Sequence, residues 1–319
     1  MKVVAKAGRD DIATVYVGET DGGKQIEFVE SIQPPTPRDK KWVLIISTLY
    51  GCPSQCRFCD AGASYQGKLS ASDIFEQIDY MVVQRYPSRV IPAQKFKIQF
   101  SRMGEPAFNL AVLDVLEQLP TQYDAPGLLP SLSTICPVGT EPFFERLLDI
   151  KTRLYHKQFQ FQFSIHTTDL KYREWLLPSK KWSFEQMAAY GERFFQPGDR
   201  KITLNFALAE GVPVDPQVLL DYFSPSKYLI KITPVNPTCA AVKNDIKSYV
   251  DTGRDNIEVI AALEAAGYEV LLSVGELEEN QIGSNCGQYI NRYLQSEQNE
   301  SEQRDGPCGY TYSLEMLDR

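Results

Sequence analysis

Short stretches rich in β-branched and aromatic residues recur along the chain from position 42 onward, and segments with a helical apolar period separate most of them. Strands that alternate with helices are typical of parallel βαβ units, and six or seven such units form a full or partial barrel. The sequence therefore predicts an α/β fold, a partial (β/α)6-type barrel. The predicted strands are WVLIIST, FKIQF, SLST, FQFQFSI, ITLNFA, YLIKIT and YEVLLSV.

Capping patterns mark several of the helices between these strands. Ser70 and Asp73 have the spacing of a capping box ahead of an apolar helical pattern. Thr140 precedes a second predicted helix. Asp255 opens a third, which Gly267 ends at the position where a left-handed residue is usual.

Three regions of the chain differ in composition. In residues 1–41 two alternating stretches, ATVYVG and KQIEFVES, are joined by Asp21-Gly22-Gly23, which predicts an N-terminal β-hairpin appendage followed by a proline-rich linker. Residues 42–290 carry the alternating strands and helices of the barrel. Residues 291–319 include the polar run QSEQNESEQRDG, which is typical of a mobile C-terminal tail.

Composition limits the cellular location and the partners. The chain has 319 residues, of which 43% are apolar, and it contains neither a membrane span nor a signal peptide, so we expect a cytoplasmic protein without membrane contact. Its net charge of −8 counts against broad nucleic-acid binding. Basic patches remain possible on such a surface, and the candidates are Arg38, Lys40 and Lys41 together with Lys180 and Lys181.

The strongest chemical signal is the segment GCPSQCRFC at residues 51–59, directly after the first barrel strand. Cys52, Cys56 and Cys59 are spaced to ligate three irons of a cubane cluster, which leaves the fourth iron open to a small molecule. Structural zinc is the alternative, but zinc usually takes four nitrogen or sulfur ligands. The two histidines and the next cysteine lie far away in sequence.

Other candidate functional residues, most of them polar, recur where the predicted strands end. In a barrel of parallel strands the chemistry lies at the carboxyl ends of the strands, so these residues are expected to share one rim. They are Gly104 and Glu105 after the second strand, Ser133 in the third, Ser164, Ile165 and His166 in the fourth, Asn205 in the fifth, Asn236 after the sixth and Cys286 after the seventh.

The C-x3-C-x2-C motif, with Phe58 before its last cysteine, resembles the radical S-adenosylmethionine superfamily. The resemblance implies a [4Fe–4S] cluster, S-adenosylmethionine bound at the open iron, and a reductant such as flavodoxin or ferredoxin. The cofactor would be cleaved to a 5′-deoxyadenosyl radical, while the protein supplies position and electrostatics.

The patterns MGEPAFN, LST, FSIHTTD, PVNP and NCGQ narrow this resemblance to the RlmN/Cfr-type RNA adenine methyltransferases. By that resemblance Gly104 and Glu105 hold the methionine end of the cofactor. Its carboxylate, ribose and adenine would be held by Ser133, Ser164, Ile165, His166 and Asn236. Simpler alternatives are a surface carboxylate for Glu105, a hydrogen-bonded structural role for His166, and strand-end capping by the two serines.

Cys286 matches the family's cysteine that carries a methyl group to an sp² carbon of the substrate. The family's resolving cysteine, which releases the product, corresponds to Ile45 here. Cys136, Cys239 or Cys308 could replace it, although each is more simply a small buried hydrophobe. The family also uses an N-terminal carboxylate as proton acceptor, and the candidates are Asp10, Asp11 and Glu27.

Three functions remain open from the sequence. The first is methylation of RNA adenine through Cys286. The second is the same scaffold acting on a small molecule or a peptide, which the acidic charge, Ile45 and the short segment before the cysteines favour. The third is a non-catalytic binding protein, which the complete cysteine motif and Glu105 disfavour.

Overall fold

The computed structural model describes residues 1–32, 34–250, 257–274, 277–284, 288–290, 293–294 and 312–317. Thirteen strands lie in these ranges, and their bounds follow. They are β1 Lys2–Arg9, β2 Ala13–Glu19, β3 Gln25–Ser31, β4 Trp42–Ile46, β5 Leu49–Tyr50, β6 Gly67–Lys68, β7 Phe96–Phe100, β8 Leu128–Thr134, β9 Gln160–Ser164, β10 Ile202–Leu208, β11 Tyr228–Pro234, β12 Glu269–Leu272 and β13 Glu315–Met316.

Nine α-helices lie in the same described ranges. They are α1 Ala71–Arg85, α2 Ala111–Gln122, α3 Glu141–Ile150, α4 Leu170–Leu176, α5 Phe184–Phe194, α6 Pro216–Leu220, α7 Cys239–Lys243, α8 Ile257–Ala265 and α9 Leu277–Ile282. None of the helices in the described part of the chain has the length and apolar character needed to cross a lipid bilayer.

Eleven strands form one sheet in the order β12-β11-β10-β9-β8-β7-β4-β3-β2-β1-β13. The seven strands from β4 to β12 in this order pair in parallel, and they coincide with the seven predicted strands. In the described residues the two outer strands, β12 and β13, do not pair with each other. The sheet is therefore open, and the predicted partial barrel is confirmed.

Alternating burial decides which face of each parallel strand meets the helices. In β7 the side chains of Phe96, Ile98 and Phe100 are fully buried in the main core, which also contains Ile74 and Leu116 from the helices α1 and α2. The intervening side chains face the inside of the barrel, because successive residues of a strand point to opposite faces. Each parallel strand therefore has one apolar face that packs on the helices and one face that lines the inside of the barrel.

The capping predictions are confirmed for two helices. Ser70 Oγ accepts a hydrogen bond from the backbone nitrogen of Asp73 at 3.1 Å, and the Asp73 carboxylate accepts one from the Ser70 nitrogen at 3.0 Å. Gly267, with φ of +91°, ends the segment after α8 as expected. Thr140 does precede α3, but its hydroxyl donates to the Pro137 carbonyl instead of capping the helix. Asp255 lies outside the described residues.

The N-terminal region differs from the predicted hairpin. The hairpin is present as β2 and β3, but β1 adds a third antiparallel strand, and β3 pairs with β4. The region therefore continues the barrel sheet instead of packing against it. The strand β1 escaped prediction because Lys6, Gly8 and Arg9 interrupt its apolar pattern, while pairing along the whole of β2 supplies the missing stability.

The C-terminal region also differs from the predicted polar tail. Tyr293 and Leu294 pack in a second core formed on the inner face of β1 to β4, and residues 315–316 pair with β1 at the edge of the sheet. The prediction of a tail from residue 291 onward is wrong for these residues, because aromatic and β-branched side chains on that face need a cover. The polar run at 295–306 lies outside the described residues.

Candidate active site

The cysteine loop lies between the barrel strand β4 and helix α1. Cys52 is buried, Cys56 and Cys59 are half-buried, and none of the three is in a disulfide. Gly51 opens the loop with φ of +76°, and a Cβ atom there would lie 1.5 Å from the Ser64 carbonyl oxygen. The tight turn before the first cysteine therefore requires glycine at position 51.

Two neighbouring rim segments anchor this loop. Arg57 Nε donates to the Trp175 carbonyl at 2.9 Å, and its guanidinium lies 5.1 Å from the centre of the Trp175 ring. The Thr238 hydroxyl donates to the Phe58 carbonyl at 2.8 Å, and Asn244 donates to the Arg57 carbonyl at 2.9 Å. Helix α4 after β9 and the two ends of α7 after β11 thus fix the backbone between the second and third cysteines.

The arrangement of the three thiols bears on which metal group they could hold. Within the described ranges no three histidine, cysteine, aspartate or glutamate side chains converge on one metal ion. A cubane cluster does not need such convergence, because each thiolate binds a separate iron. Burial raises the pKa of Cys56 well above its ordinary value, and the neighbouring Cys59 and Cys52 raise it further. Bound cations would offset this repulsion, so the three cysteines fit a cluster.

Glu105 is a buried carboxylate next to this loop. It accepts hydrogen bonds from the Thr134 hydroxyl at 2.5 Å, the Ile135 nitrogen at 2.9 Å and the Ala107 nitrogen at 3.1 Å. Burial raises the pKa of Glu105 to about 7 while these hydrogen bonds oppose the rise, and no cationic side chain of the described residues acts on it. The site therefore lacks a positive partner that a bound ammonium group would supply.

Glu105 and the cysteines are close enough to interact. The carboxylate raises the pKa of both Cys52 and Cys56 by its charge, in addition to the larger effect of burial. Gly104, with φ of +100°, lies against Leu49, and a Cβ atom there would come within 2.5 Å of the Leu49 side chain. Only glycine at position 104 lets the strand end turn this close to the cysteine loop.

His166 lies at the end of β9, with its ring 4.9 Å from the Phe58 ring in an edge-to-face contact. Its Nδ1 atom accepts a hydrogen bond from the Ala207 nitrogen at 3.0 Å. Burial, with a smaller effect from the Arg173 charge, lowers the pKa of His166 to about 3. The imidazole is therefore neutral with Nε2 carrying the proton, and that nitrogen remains a donor.

The remaining predicted cofactor residues have different surroundings. Ser133 Oγ accepts a hydrogen bond from Gln162 at 3.0 Å, and Ser164 is half-buried on the inner face of β9. Ile165 is fully buried, and its nitrogen donates to the Asn205 carbonyl at 3.0 Å. These positions remain predictions as cofactor contacts.

Asn236 carries an unsatisfied hydrogen-bond acceptor at the rim. Its side-chain oxygen is buried and has no hydrogen-bond partner in the described structure. A buried acceptor without a donor is costly, and a ligand N–H would satisfy it. The residue follows β11, beside the segment of Thr238 that holds the cysteine loop. Its place and chemistry both fit a cofactor contact.

The cysteines outside the loop differ in burial and in disulfide state. Cys136 is fully buried, and burial raises the pKa of its thiol well above the ordinary value. Cys239 is exposed, is disulfide-bonded, and donates from its nitrogen to Asp60 at 3.2 Å beside the cysteine loop. The interpretation of Cys239 as a small buried hydrophobe is therefore wrong. Cys286 and Cys308 lie outside the described residues.

Two functional candidates were missed from sequence. Thr134, rather than its neighbour Ser133, contacts the Glu105 carboxylate, and the alternation of side chains within β8 was the available signal. Arg173 is buried in α4 and donates to the Ile165 and Ser164 carbonyls at 3.3 and 3.5 Å. No sequence signal distinguishes this arginine from a surface residue of an amphipathic helix.

The three carboxylates that are candidates for the proton acceptor each pair with a different arginine. Glu27 is fully buried and paired with Arg102, while the Asp11 carboxylate is exposed and paired with Arg9. The Asp10 carboxylate is exposed and lies 3.5 Å from Arg85. Ile45, which replaces the family's resolving cysteine, packs in the second core with Ile282.

Comparison with known proteins places this geometry in context. No protein-family model matches the chain. A stretch of 212 residues is 27% identical to the "Probable dual-specificity RNA methyltransferase RlmN" of Synechococcus sp. strain CC9311, covering 65% of this chain and 57% of that protein. The protein of the same description from Synechococcus sp. strain CC9902 is 30% identical over 184 residues, which are 56% of this chain and 48% of the relative.

A solved structure has a similar fold. The crystal structure of a radical SAM methyltransferase from Sphaerobacter thermophilus has a TM-score of 0.65, 19% identity, and coverage of 90% of this chain and 81% of that chain. The predicted fold class and the predicted resemblance to RlmN-type methyltransferases are confirmed. The matched part spans about half to three fifths of the length of the curated relatives.

Proposed function

We propose that this chain is a radical S-adenosylmethionine enzyme in which Cys52, Cys56 and Cys59 hold a [4Fe–4S] cluster. The observation that carries the proposal is a loop with three cysteines, two of which, Cys52 and Cys56, lie within the electrostatic reach of Glu105, a buried carboxylate without a cationic partner among the described residues. When bound, the cluster and S-adenosylmethionine supply an electron and a 5′-deoxyadenosyl radical. A flavodoxin or ferredoxin is the proposed reductant.

The rim residues bind and orient the cofactor. Glu105 accepts hydrogen bonds from the ammonium group, and the unsatisfied oxygen of Asn236 accepts one from an N–H of the cofactor. Neutral His166 donates from Nε2, and its Nδ1 stays occupied by the Ala207 nitrogen. Phe58 packs against His166 and keeps water from this side of the site. Each role follows from the charge and the hydrogen-bonding capacity of the residue concerned.

The finer proposal is methylation of an sp² carbon, of the RNA adenine type, through a methylated Cys286. The named activity of the RlmN relatives supports it, together with the cysteine in the matching NCGQ motif. The residues that flank this cysteine are fixed from both sides. Arg102 donates to the Gly283 and Ser284 carbonyls at 2.9 Å, and Glu27 accepts from the Ile290 nitrogen at 2.5 Å.

The alternative is the same chemistry on a small molecule or a peptide. The net charge of −8 favours it, because a protein that grips RNA phosphates usually presents a basic surface. Binding of RNA at increasing salt separates the two functions. An RNA methyltransferase loses affinity with a log–log slope near one for each phosphate contact, whereas an enzyme for another substrate binds RNA feebly even at low salt.

The central proposal is tested on anaerobically reconstituted protein. The wild type is expected to be brown, to hold about four irons per chain and to cleave the cofactor when reduced. Alanine at Cys52, Cys56 or Cys59 is expected to remove the colour and the cleavage, while Cys136→Ala is the matched control that keeps both. A colourless wild-type protein with one tightly held zinc would contradict the proposal.

A further inference from the structure

The cysteine loop is bordered by cations that the proposed cofactor chemistry does not use. Arg57 lies in the loop directly after Cys56, and its guanidinium lies over the ring of Trp175, 5.1 Å from the ring centre. The Arg57 backbone nitrogen also donates to the Leu176 carbonyl at 3.0 Å. Trp175 is 38% exposed, so this stacked pair forms part of the protein surface beside the loop.

Two exposed lysines lie next to the residues that contact Arg57. Lys171 comes four positions before Trp175 in α4, and residues at this spacing share one face of a helix. Lys243 adjoins Asn244, whose side chain donates to the Arg57 carbonyl at 2.9 Å. Helices α4 and α7 therefore each bring one lysine to the border of the loop.

A third exposed lysine reaches the same border from the segment after α4. Lys180 adjoins Ser179, whose hydroxyl donates to the Ser54 carbonyl at 3.4 Å. Ser54 lies in the loop between the first and second cysteines. Printed contacts of the chain thus connect all of these side chains to one loop, and we call them the cysteine-loop patch: Arg57, Lys171, Trp175, Lys180 and Lys243.

The carboxylates closest in sequence to the patch are engaged by other groups. Glu174 pairs with Lys181 at 2.9 Å, and Asp245 pairs with Lys247 at 3.5 Å. The Asp169 carboxylate accepts from two backbone nitrogens at the start of α4. Among the described residues no carboxylate forms an ion pair with a cation of the patch. Positive charge is therefore in excess here, on a chain whose net charge is −8.

The composition of the patch suits a protein partner better than a nucleic acid. Exposed tryptophan and arginine are enriched where proteins meet, and they contribute much of the binding energy there. The apolar side chains of Leu170 and Val242, on the same two helices, are 62% and 48% exposed. RNA would need a row of cations that neutralises several phosphates, whereas this patch has a few cations around an apolar centre.

We propose that the cysteine-loop patch is the docking surface for the protein that delivers the electron, and that this partner is an acidic one-electron carrier. The inference rests on the proposed function, because it needs the cluster as the acceptor. One electron passes from the carrier, which is oxidised by one electron, to the cluster, which is reduced by one, and no bond forms or breaks between them. Docking at Arg57 brings the carrier beside the backbone that joins Cys56 to Cys59, and opposite charges speed the encounter.

The test follows reduction of the reconstituted full chain by a reduced flavodoxin of acidic net charge, as loss of cluster colour in an anaerobic stopped-flow spectrometer. The double variant Lys171→Glu with Lys243→Glu reverses two charges of the patch and leaves the anchors of the loop in place. Its second-order rate at low salt is expected to be lower than that of the wild type by about ten-fold or more. Rising salt should slow the wild type steeply and the double variant little.

The matched control is the double variant Lys40→Glu with Lys157→Glu. Both lysines are exposed, and they precede β4 and β9, at the ends of the parallel strands opposite to the cysteine loop. Reversing them changes the net charge of the protein by the same amount as reversing the two patch lysines. The control should therefore keep the wild-type rate, and a slowing equal to that of the patch variant would overturn the proposal.

Photoreduction with deazariboflavin, a small uncharged reductant, separates docking from damage to the cluster. All three proteins are expected to be reduced by it at the same rate. A slowing of the patch variant that deazariboflavin shares would overturn the proposal, as would equal flavodoxin rates for the patch variant and the wild type. Weaker RNA binding by the patch variant at an unchanged flavodoxin rate would assign the surface to RNA instead.

Failure of this inference is distinguishable from failure of the proposed function. Colour and iron content are measured before the carrier is added, so a protein without the cluster refutes the proposed function, and this role of the patch with it, at that stage. A protein that holds the cluster and takes electrons from flavodoxin equally well with the patch reversed refutes the docking surface alone.

Discussion

Glu27 and Arg102 form an ion pair whose side chains are 0% and 2% exposed, and it joins the N-terminal strands to the barrel. Arg102 donates through Nε and Nη2 to one carboxylate oxygen of Glu27, at 3.2 and 2.9 Å. The other carboxylate oxygen accepts from the Ile290 nitrogen at 2.5 Å. A carboxylate held in this way is committed to structure, so Glu27 is a poor candidate for the proton acceptor that the resemblance implies.

Breaking this pair is expected to be strongly destabilising. Arg102→Met leaves the Glu27 charge buried without its partner, which costs about 3–5 kcal/mol of unfolding free energy in comparable cases. The double variant Glu27→Gln with Arg102→Met should recover part of that loss, because neither charge remains. Urea unfolding of the four proteins measures the effect, and Arg9→Met, in an exposed pair with Asp11, is the control expected to change little. Equal stability of Arg102→Met and Arg9→Met would contradict the prediction.

Glu105→Gln is expected to weaken binding of S-adenosylmethionine while leaving the cluster intact. The substitution keeps the size of the side chain but removes the charge that attracts the ammonium group. Affinity should fall on the order of ten- to a hundred-fold, as expected for a charge-assisted hydrogen bond. Equilibrium binding under anaerobic conditions measures it, with Glu145→Gln on the exposed surface as control. An unchanged dissociation constant in Glu105→Gln would assign this carboxylate to holding the turn through Thr134 and Ile135 alone.

The parallel strands and the cysteine loop were predictable because their signals are local. Alternating apolar residues such as Phe96 and Ile98 identify a strand without knowledge of its neighbours, and the spacing of three cysteines identifies a ligand set. The contacts of these elements required the structure. Glu27 and Arg102 are 75 positions apart, and no pattern in either segment indicates their pairing.

Lys97 illustrates why the inner face was not predicted. In sequence it is one polar residue within FKIQF, as expected for a strand with one solvated face. Only closure of the sheet toward a barrel turns that face inward and leaves the side chain 8% exposed. The third N-terminal strand, β1, was not predicted for a different reason: its stability comes from pairing with β2 and not from its own pattern.

His166 is expected to make the stability of the protein depend on pH. The folded state holds its pKa near 3, whereas the unfolded chain has the ordinary value of about 6.5. Below pH 6.5 the unfolded state takes up a proton that the folded state refuses. The stabilising contribution of this group is therefore present above that pH and is lost as the pH falls. Between pH 7.5 and pH 5 the loss should be about 2 kcal/mol.

Urea unfolding of the wild type and His166→Gln at both pH values isolates this contribution. Glutamine stays neutral, and its oxygen can accept the hydrogen bond from the Ala207 nitrogen. The difference in stability between the two pH values should therefore be smaller in the variant by about 2 kcal/mol. His156, which is exposed, provides the control substitution His156→Gln, expected to keep the wild-type dependence. The same pH dependence in all three proteins would show that His166 is protonated without penalty.

Release of the product is expected to depend on Cys239. With isoleucine at position 45, the methylene-bridged adduct to Cys286 needs another thiol to break it. Cys239 is the best-placed cysteine outside the cluster loop in the described structure, because it is exposed beside that loop, whereas Cys136 is fully buried. Its sulfur is in a disulfide, so the reductant must first open that bond to give the thiolate that attacks the adduct. Given RNA and reductant, Cys239→Ala should therefore cleave its cofactor and accumulate a protein–RNA crosslink. The wild type and Cys136→Ala should release methylated adenine.

Mass spectrometry of the protein and of digested RNA measures both products. Crosslink accumulation in the wild type as well would mean that no thiol replaces the one absent at position 45, and release by Cys239→Ala would assign the step to another residue.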